Sequence, residues 1–177
     1  MKGLQREYCT EGIFMKVLVV SDTHGVDVNV AVALDREWPI DAILHLGDSQ
    51  EEEEEFAEIV AGEDVPIYMV KGNCDYFVAY PPSRIIELAG HRIRMAHGHG
   101  YYVNFGTRDL EADALANDCD ITIYGHTHRP QIDESNPELL ILNPGSITYP
   151  RQEGRRKSYM ILELRENEKP EVELKFI

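Results

Sequence analysis

Six short apolar runs punctuate the chain, and each gives way to glycine or a polar group at its carboxyl end. They are Val17 to Val20 before SDTHG, Ala42 to Leu46 before GDS, Ile67 to Val70 before KGNCD, Ile93 to Ala96 before HGHG, Ile121 to Tyr124 before GHTH, and Leu139 to Leu142 before NPGS. Short runs bounded by glycine and turn residues read as strands. Helical segments are expected at Asp27 to Trp38, Glu51 to Ala61 and Thr107 to Asn117, the last with Leu110, Ala114 and Leu115 at helical spacing. The first half therefore reads β-α-β-α-β, which implies parallel strands with helices packed on the sheet. The second half carries hairpin signals: SRIIELAGHRIRMA turns at Ala89-Gly90, and SYMILELRENEKPEVELKFI alternates charged and apolar positions across a polar turn. The expectation is an α/β fold of two sheets packed face to face with helices outside.

Composition narrows this picture. With 177 residues and 43% apolar side chains, the chain suits one domain with a core that needs no crosslinks. Residues 1–14 show no period, so they are expected to be an extension, and 15–177 the single domain. Cys9, Cys74 and Cys119 are too few and too scattered for a disulfide framework or a thiolate zinc site, which fits a cytoplasmic protein. No run approaches a membrane span, and the first residues lack the apolar stretch of a signal peptide. A net charge of -15 opposes non-specific binding to nucleic acid or an anionic membrane. The acidic block Glu51 to Glu55 points around the helix axis and reads as a solvated face.

Ligands of open α/β sheets gather beyond the carboxyl ends of the strands. The coordinating side chains at those ends are Asp22, His24, Asp48, Asn73, His97, His126 and His128. Singly, each has a plain reading: aspartates in SDTHG and GDSQEE stand where helix caps stand, and His-x-His alone is a weak signal. Jointly, five strand ends bearing ligand types are not explained by independent caps. Seven groups suffice for two ions, and imidazole favours Mn, Ni, Zn, Fe or Co over Ca or Mg. The i, i+2 pairs Asp22/His24 and His126/His128 would point to one side in extended segments. Two divalent ions bring about +4 against about -2 from the aspartates and about -1 from a shared hydroxide, a local positive site suited to a small phosphoester.

In this order, D-x-H, G-D, G-N-x-D, H-G-H and G-H-T-H resemble the motifs of the calcineurin-like metallophosphoesterases, here from about Met15 to Ser146. The resemblance implies an αββα sandwich. It also implies one ion held by Asp22, His24 and His128, another by Asn73, His97 and His126, and Asp48 bridging them. Asn73, Cys74 and His126 form the catalytic set it implies. Chain length and the GNCD form look most like the small YfcE-type phosphodiesterases. The expected activity is hydrolysis of small phosphodiesters, since no converging arginines would clamp a dianion. Many relatives carry histidine where Cys74 stands; an ordinary thiol is a poorer proton donor at neutral pH, so aryl leaving groups should be favoured. His99 reads equally as a substitute donor and as a loop hydrogen-bonder.

Three features stay open at this level. Tyr76, Phe77, Tyr80, Tyr101, Tyr102 and Phe105 suit a core edge or subunit interface better than a substrate pocket, and a homo-oligomer is compatible with the sequence. Arg151, Arg155, Arg156 and Lys157 read as a solvated loop, or as a device that steers anions. A metal-binding interaction scaffold, like the retromer subunit with this pattern, is the alternative to an enzyme.

Overall fold

The computed structural model describes residues 13–51, 56–58 and 65–177. Among the described residues the elements run in the order β1 (Phe14–Val20), α1 (Val28–Glu37), β2 (Ala42–His45), β3 (Ile67–Met69), β4 (Ser83–Leu88), β5 (His91–Ala96), α2 (Arg108–Ala116), β6 (Ile121–Ile123), β7 (Pro130–Asn136), β8 (Leu139–Pro144), β9 (Ser158–Arg165) and β10 (Glu171–Phe176). Two five-stranded sheets result, ordered β10-β9-β1-β2-β3 and β4-β5-β6-β8-β7. The fold is the expected α/β sandwich. Most of the expected helix over 51–61 lies outside the described residues, as do Cys9 and Glu52 to Glu55. No helix among the described residues is long and apolar enough to cross a membrane.

The runs in β1, β2 and β8 are apolar on both faces because both faces are buried. In β1, Val17 and Val19 face the second sheet, while Leu18 and Val20 pack with Val30, Ala33 and Leu34 of α1. In β8, Leu140 and Leu142 face the first sheet, while Leu139 and Ile141 pack with Leu110 and Ala114 of α2. A strand between a sheet and a helix layer cannot alternate apolar with polar, which is why these elements read as runs.

Two expectations change. The halves of the sequence do not map onto the sheets. The second sheet has its own parallel centre, β5-β6-β8, and the C-terminal hairpin β9-β10 joins the first sheet with β9 antiparallel to β1. The segment carrying α2 bridges β5 and β6, long enough to make them parallel neighbours. Strand β7 was also not anticipated: it starts at a proline, is polar, and pairs only with β8 at the sheet edge. The β4-β5 turn holds Ala89 at φ 46° and Gly90 at φ 81°, the positive pair that a tight hairpin needs. The effect of these arrangements is that the parallel strands of both sheets deliver their loops to one rim.

Burial sets the expected stability response. Ile123 is fully buried between the sheets, whereas Ile132 on β7 is 43% exposed. Ile123→Ala should cost about 3 kcal/mol in urea unfolding and Ile132→Ala under about 1 kcal/mol.

Candidate metal centre

Five of the seven expected ligand positions sit in left-handed backbone: Asp22 (φ 56°), His24 (φ 51°), Asp48 (φ 55°), His126 (φ 66°) and His128 (φ 56°). Non-glycine residues rarely adopt this region, and strain of this kind gathers at functional sites. The i, i+2 pairs therefore converge through left-handed turns and not through the extended geometry expected. Cross-loop hydrogen bonds hold the turns: Asp22 N donates to Gly47 O (3.1 Å), His24 N to Asp48 O (2.9 Å) and Gly125 N to His97 O (3.0 Å). Two glycines are required by proximity. A Cβ on Gly72 would lie 2.1 Å from Asp48 Oδ1, and one on Gly125 would lie 2.0 Å from Ser21 Oγ.

Asp22, His24 and His128 bring ligand atoms within 4.8 Å of one another, as do Asp22, Asp48 and His97. A third such group is His24, Asp48 and Cys74. His128 Nε2 stands 3.1 Å from Asp22 Oδ1, and His97 Nε2 stands 3.4 Å from Asp48 Oδ2 and 3.9 Å from Asp22 Oδ1. Each imidazole uses Nδ1 elsewhere: His97 on Leu46 O at 2.7 Å, His128 on Tyr149 O at 2.6 Å. A carbonyl cannot donate, so Nδ1 carries the proton and a neutral ring turns an Nε2 lone pair toward the carboxylates. Asp22 Oδ1 and His97 Nε2 are buried without a hydrogen-bond partner. Lone pairs facing one another in a dry pocket need a proton or a cation between them. The residues present thus fit divalent ions, with hard carboxylate and borderline imidazole donors together.

Charge responds to the same proximity. Burial would raise Asp22 and Asp48, but the imidazoles outweigh it: His128 and His97 hold Asp22 below the usual carboxylate range, and His97 with the Cys74 N–H does so for Asp48. Burial would lower His97, yet Asp48 and Asp22 raise it. Burial and the His97 charge lower His126 and His99. Burial pushes the Cys74 thiol up to about 11, reinforced by its hydrogen bond to Asp48 and by the charges of Asp48, Asp75 and Asp22.

Not every expected residue joins the cluster. Asn73 is exposed, with its amide donating to Cys74 Sγ at 3.2 Å. His126 flanks the group: its ring lies 5.2 Å from that of His97 and its Nε2 2.9 Å from Asn104 Nδ2. His99 is exposed, its ring 5.4 Å from that of His97. The aromatic set divides. Tyr80 is buried, and Tyr101 donates to Asp113 at 2.7 Å, whereas Tyr76, Phe77, Tyr102 and Phe105 are exposed. The basic cluster divides too: Arg156 lies 3.8 Å from the Phe176 ring centroid, while Arg151, Arg155 and Lys157 line a cavity with Arg129.

Sequence reasoning missed the residues that hold the ligands. Asp75 is buried and accepts from the backbone N–H groups of Asp48 (2.8 Å), Gly72 (2.7 Å) and Gln50 (2.7 Å). Ser146 Oγ donates to Asp22 O at 2.9 Å, and Asn143 Nδ2 to Gly125 O at 2.9 Å. Fully buried His45 contacts Thr23 Oγ1 (3.1 Å) and accepts from Gly47 N (3.1 Å); burial lowers its pKa to about 4. The GNCD and NPGS motifs contained three of these four, but nothing in them distinguishes a backbone acceptor from a ligand.

Comparison with known proteins identifies the family and the fold. The profile of the calcineurin-like phosphoesterase superfamily domain matches residues 15–167. A predicted phosphoesterase from Streptococcus pneumoniae superimposes with a TM-score of 0.79 at 31% identity, over 93% of this chain and 90% of that one. Phosphodiesterase YfcE of Escherichia coli is 33% identical over 55% of this chain and 52% of its own length. Vacuolar Protein Sorting 29 from Cryptosporidium parvum shares the fold, with a TM-score of 0.72 at 22% identity over 93% of this chain and 98% of that one.

The supporting residues yield two expected outcomes. Asp75→Ala releases three N–H groups that hold Asp48, and should weaken Mn²⁺ binding by about 10- to 100-fold in calorimetric titration. A neutral buried His45 stabilises the fold fully above its unfolded pKa near 6.5, and that contribution is lost as pH falls through the folded value of about 4. Between those limits it should remove roughly 3 kcal/mol from the metal-free protein, and His45→Gln should flatten the urea-midpoint profile across that window.

Proposed function

The chain belongs to the calcineurin-like phosphoesterase superfamily, and from that premise we propose that it hydrolyses small phosphodiesters at a centre of two divalent transition-metal ions. The observation that carries this reading is the set of acceptor atoms without a donor: Asp22 Oδ1 and His97 Nε2, buried and unpartnered beside Asp48, His24 and His128. In this reading Asp22, His24 and His128 would hold one ion and Asn73, His97 and His126 the other, with Asp48 available to both. Such ions, when bound, lower the pKa of water and neutralise charge on phosphoryl oxygens.

The chain's own residues set the rest. The Leu46 and Tyr149 carbonyls take the Nδ1 protons of His97 and His128, so each ring turns Nε2 inward. Asn73, exposed at the rim, is free to turn its amide oxygen inward, away from Cys74. In the metal-free protein burial pushes the Cys74 thiol up to about 11, and a thiol is in any case a weaker proton donor than an imidazolium toward a departing alkoxide. Substrates whose leaving group needs no proton are therefore preferred. The name of the YfcE relative supports a diesterase. Fold alone would not, since a vacuolar sorting protein has the same architecture. The ligand residues favour an enzyme over a scaffold.

Turnover of matched mono- and diesters after loading with Mn, Ni, Zn or Mg tests this. The diester should be preferred, and Asp48→Ala and Asn73→Ala should each lower its kcat/KM on the order of a hundredfold. Metal uptake without turnover of any ester would hand the site to the scaffold reading. An aryl diester should outpace an alkyl one, and Cys74→His should narrow that gap; equal rates in the wild type would remove the assigned role of Cys74.

A further inference from the structure

Most arginines of the described residues have a side-chain partner. Arg92 pairs with Glu87, Arg94 with Asp113 and Arg165 with Glu163 and Glu171, while Arg84 and Arg156 lie over the rings of Tyr68 and Phe176. Arg129, Arg151 and Arg155 have none among the described residues, and all three line one cavity of about 670 Å³ with Lys157. Arg129 and Arg151 also line a neighbouring cavity of about 470 Å³. No described carboxylate lines either. In a chain of net charge -15, leaving these cations side by side without a counter-charge favours a bound anion.

Both cavities adjoin the metal-ligand loop. Tyr149, in the larger one, accepts the His128 Nδ1 proton through its carbonyl and has its ring 5.5 Å from that of His24. Arg151 N donates to His128 O at 2.9 Å, and Asn104, in the smaller one, contacts His126 Nε2. The arginines thus stand beside the metal ligands and not among them. Planar guanidiniums favour bidentate contact with phosphate, and the larger volume suits a nucleotide-sized group.

We infer that this basic cavity is a subsite for a second phosphate of the substrate, remote from the bond that is cleaved. The substrate class is then a phosphodiester that also carries a phosphomonoester, as a 5′-phosphorylated dinucleotide does. This rests on the diesterase reading of the neighbouring centre. The division of charge follows: the singly charged diester meets the metal ligands and the dianion meets the arginines.

The test compares thymidylyl-thymidine with its 5′-phosphorylated form on the full chain loaded with Mn²⁺. Wild type should favour the phosphorylated form in kcat/KM by about tenfold or more, chiefly through KM. The Arg129→Gln/Arg151→Gln double variant should bring that ratio toward one, and Arg156→Gln, outside the cavity, should keep it. A ratio near one in wild type, or one that survives the double variant, overturns the inference. If neither dinucleotide is hydrolysed, the diesterase reading fails separately. Equilibrium dialysis of the same pair then decides the subsite: a preference for the phosphorylated form that the double variant abolishes supports it, and equal binding overturns it.

Discussion

The rim of this sandwich is organised around buried acceptors that face one another. Asp22 Oδ1 lies 3.1 Å from His128 Nε2 and 3.9 Å from His97 Nε2, in a pocket where Asp22 and His97 are fully buried. With Nδ1 committed to carbonyls, these imidazoles turn Nε2 toward the carboxylates, and only a proton or a cation between them relieves the contact. Such an arrangement is unfavourable unless a positive charge completes it. Five left-handed backbone positions and the close approaches at Gly72 and Gly125 are the conformational cost of bringing these atoms together. The two apolar interfaces that bury the strands on both faces supply the rigidity that sustains it.

Much of this fold was legible because a strand buried on both faces has a simple signature. The runs Val17 to Val20, Ile93 to Ala96 and Leu139 to Leu142 all form strands, and the helices expected at 27–38 and 107–117 appear within a residue or so of their ends. Pairing was harder. That β9 would lie against β1, across more than 140 residues of sequence, depends on which faces meet in space and leaves no local trace. Strand β7 was hidden because an edge strand facing solvent needs neither apolar alternation nor a leading N–H.

The candidate ligands that cluster, Asp22, His24, Asp48, His97 and His128, were readable because coordinating side chains are chemically few and recur at strand ends. Their supports were not, since Asp75, Ser146, Asn143 and His45 act on backbone groups whose position only the fold defines. The basic cavity was legible only in part: Arg151, Arg155 and Lys157 stood out as a loop that could steer anions, whereas Arg129 did not. Arg129 is separated by 22 residues from Arg151, and only folding brings it beside Arg155 and Lys157 while sending Arg156 to Phe176. Expecting no converging arginines was correct for the metal-ligand cluster itself and incomplete for its surroundings.

Cations that complete the acceptor cluster would be seen most directly by anomalous diffraction from crystals grown with Mn²⁺. Two peaks are expected: one among Asp22, His24 and His128, the other beside His97 and His126, with Asp48 between them. Crystals that show the same side-chain positions but no anomalous density within reach of Asp22 or Asp48 would contradict it.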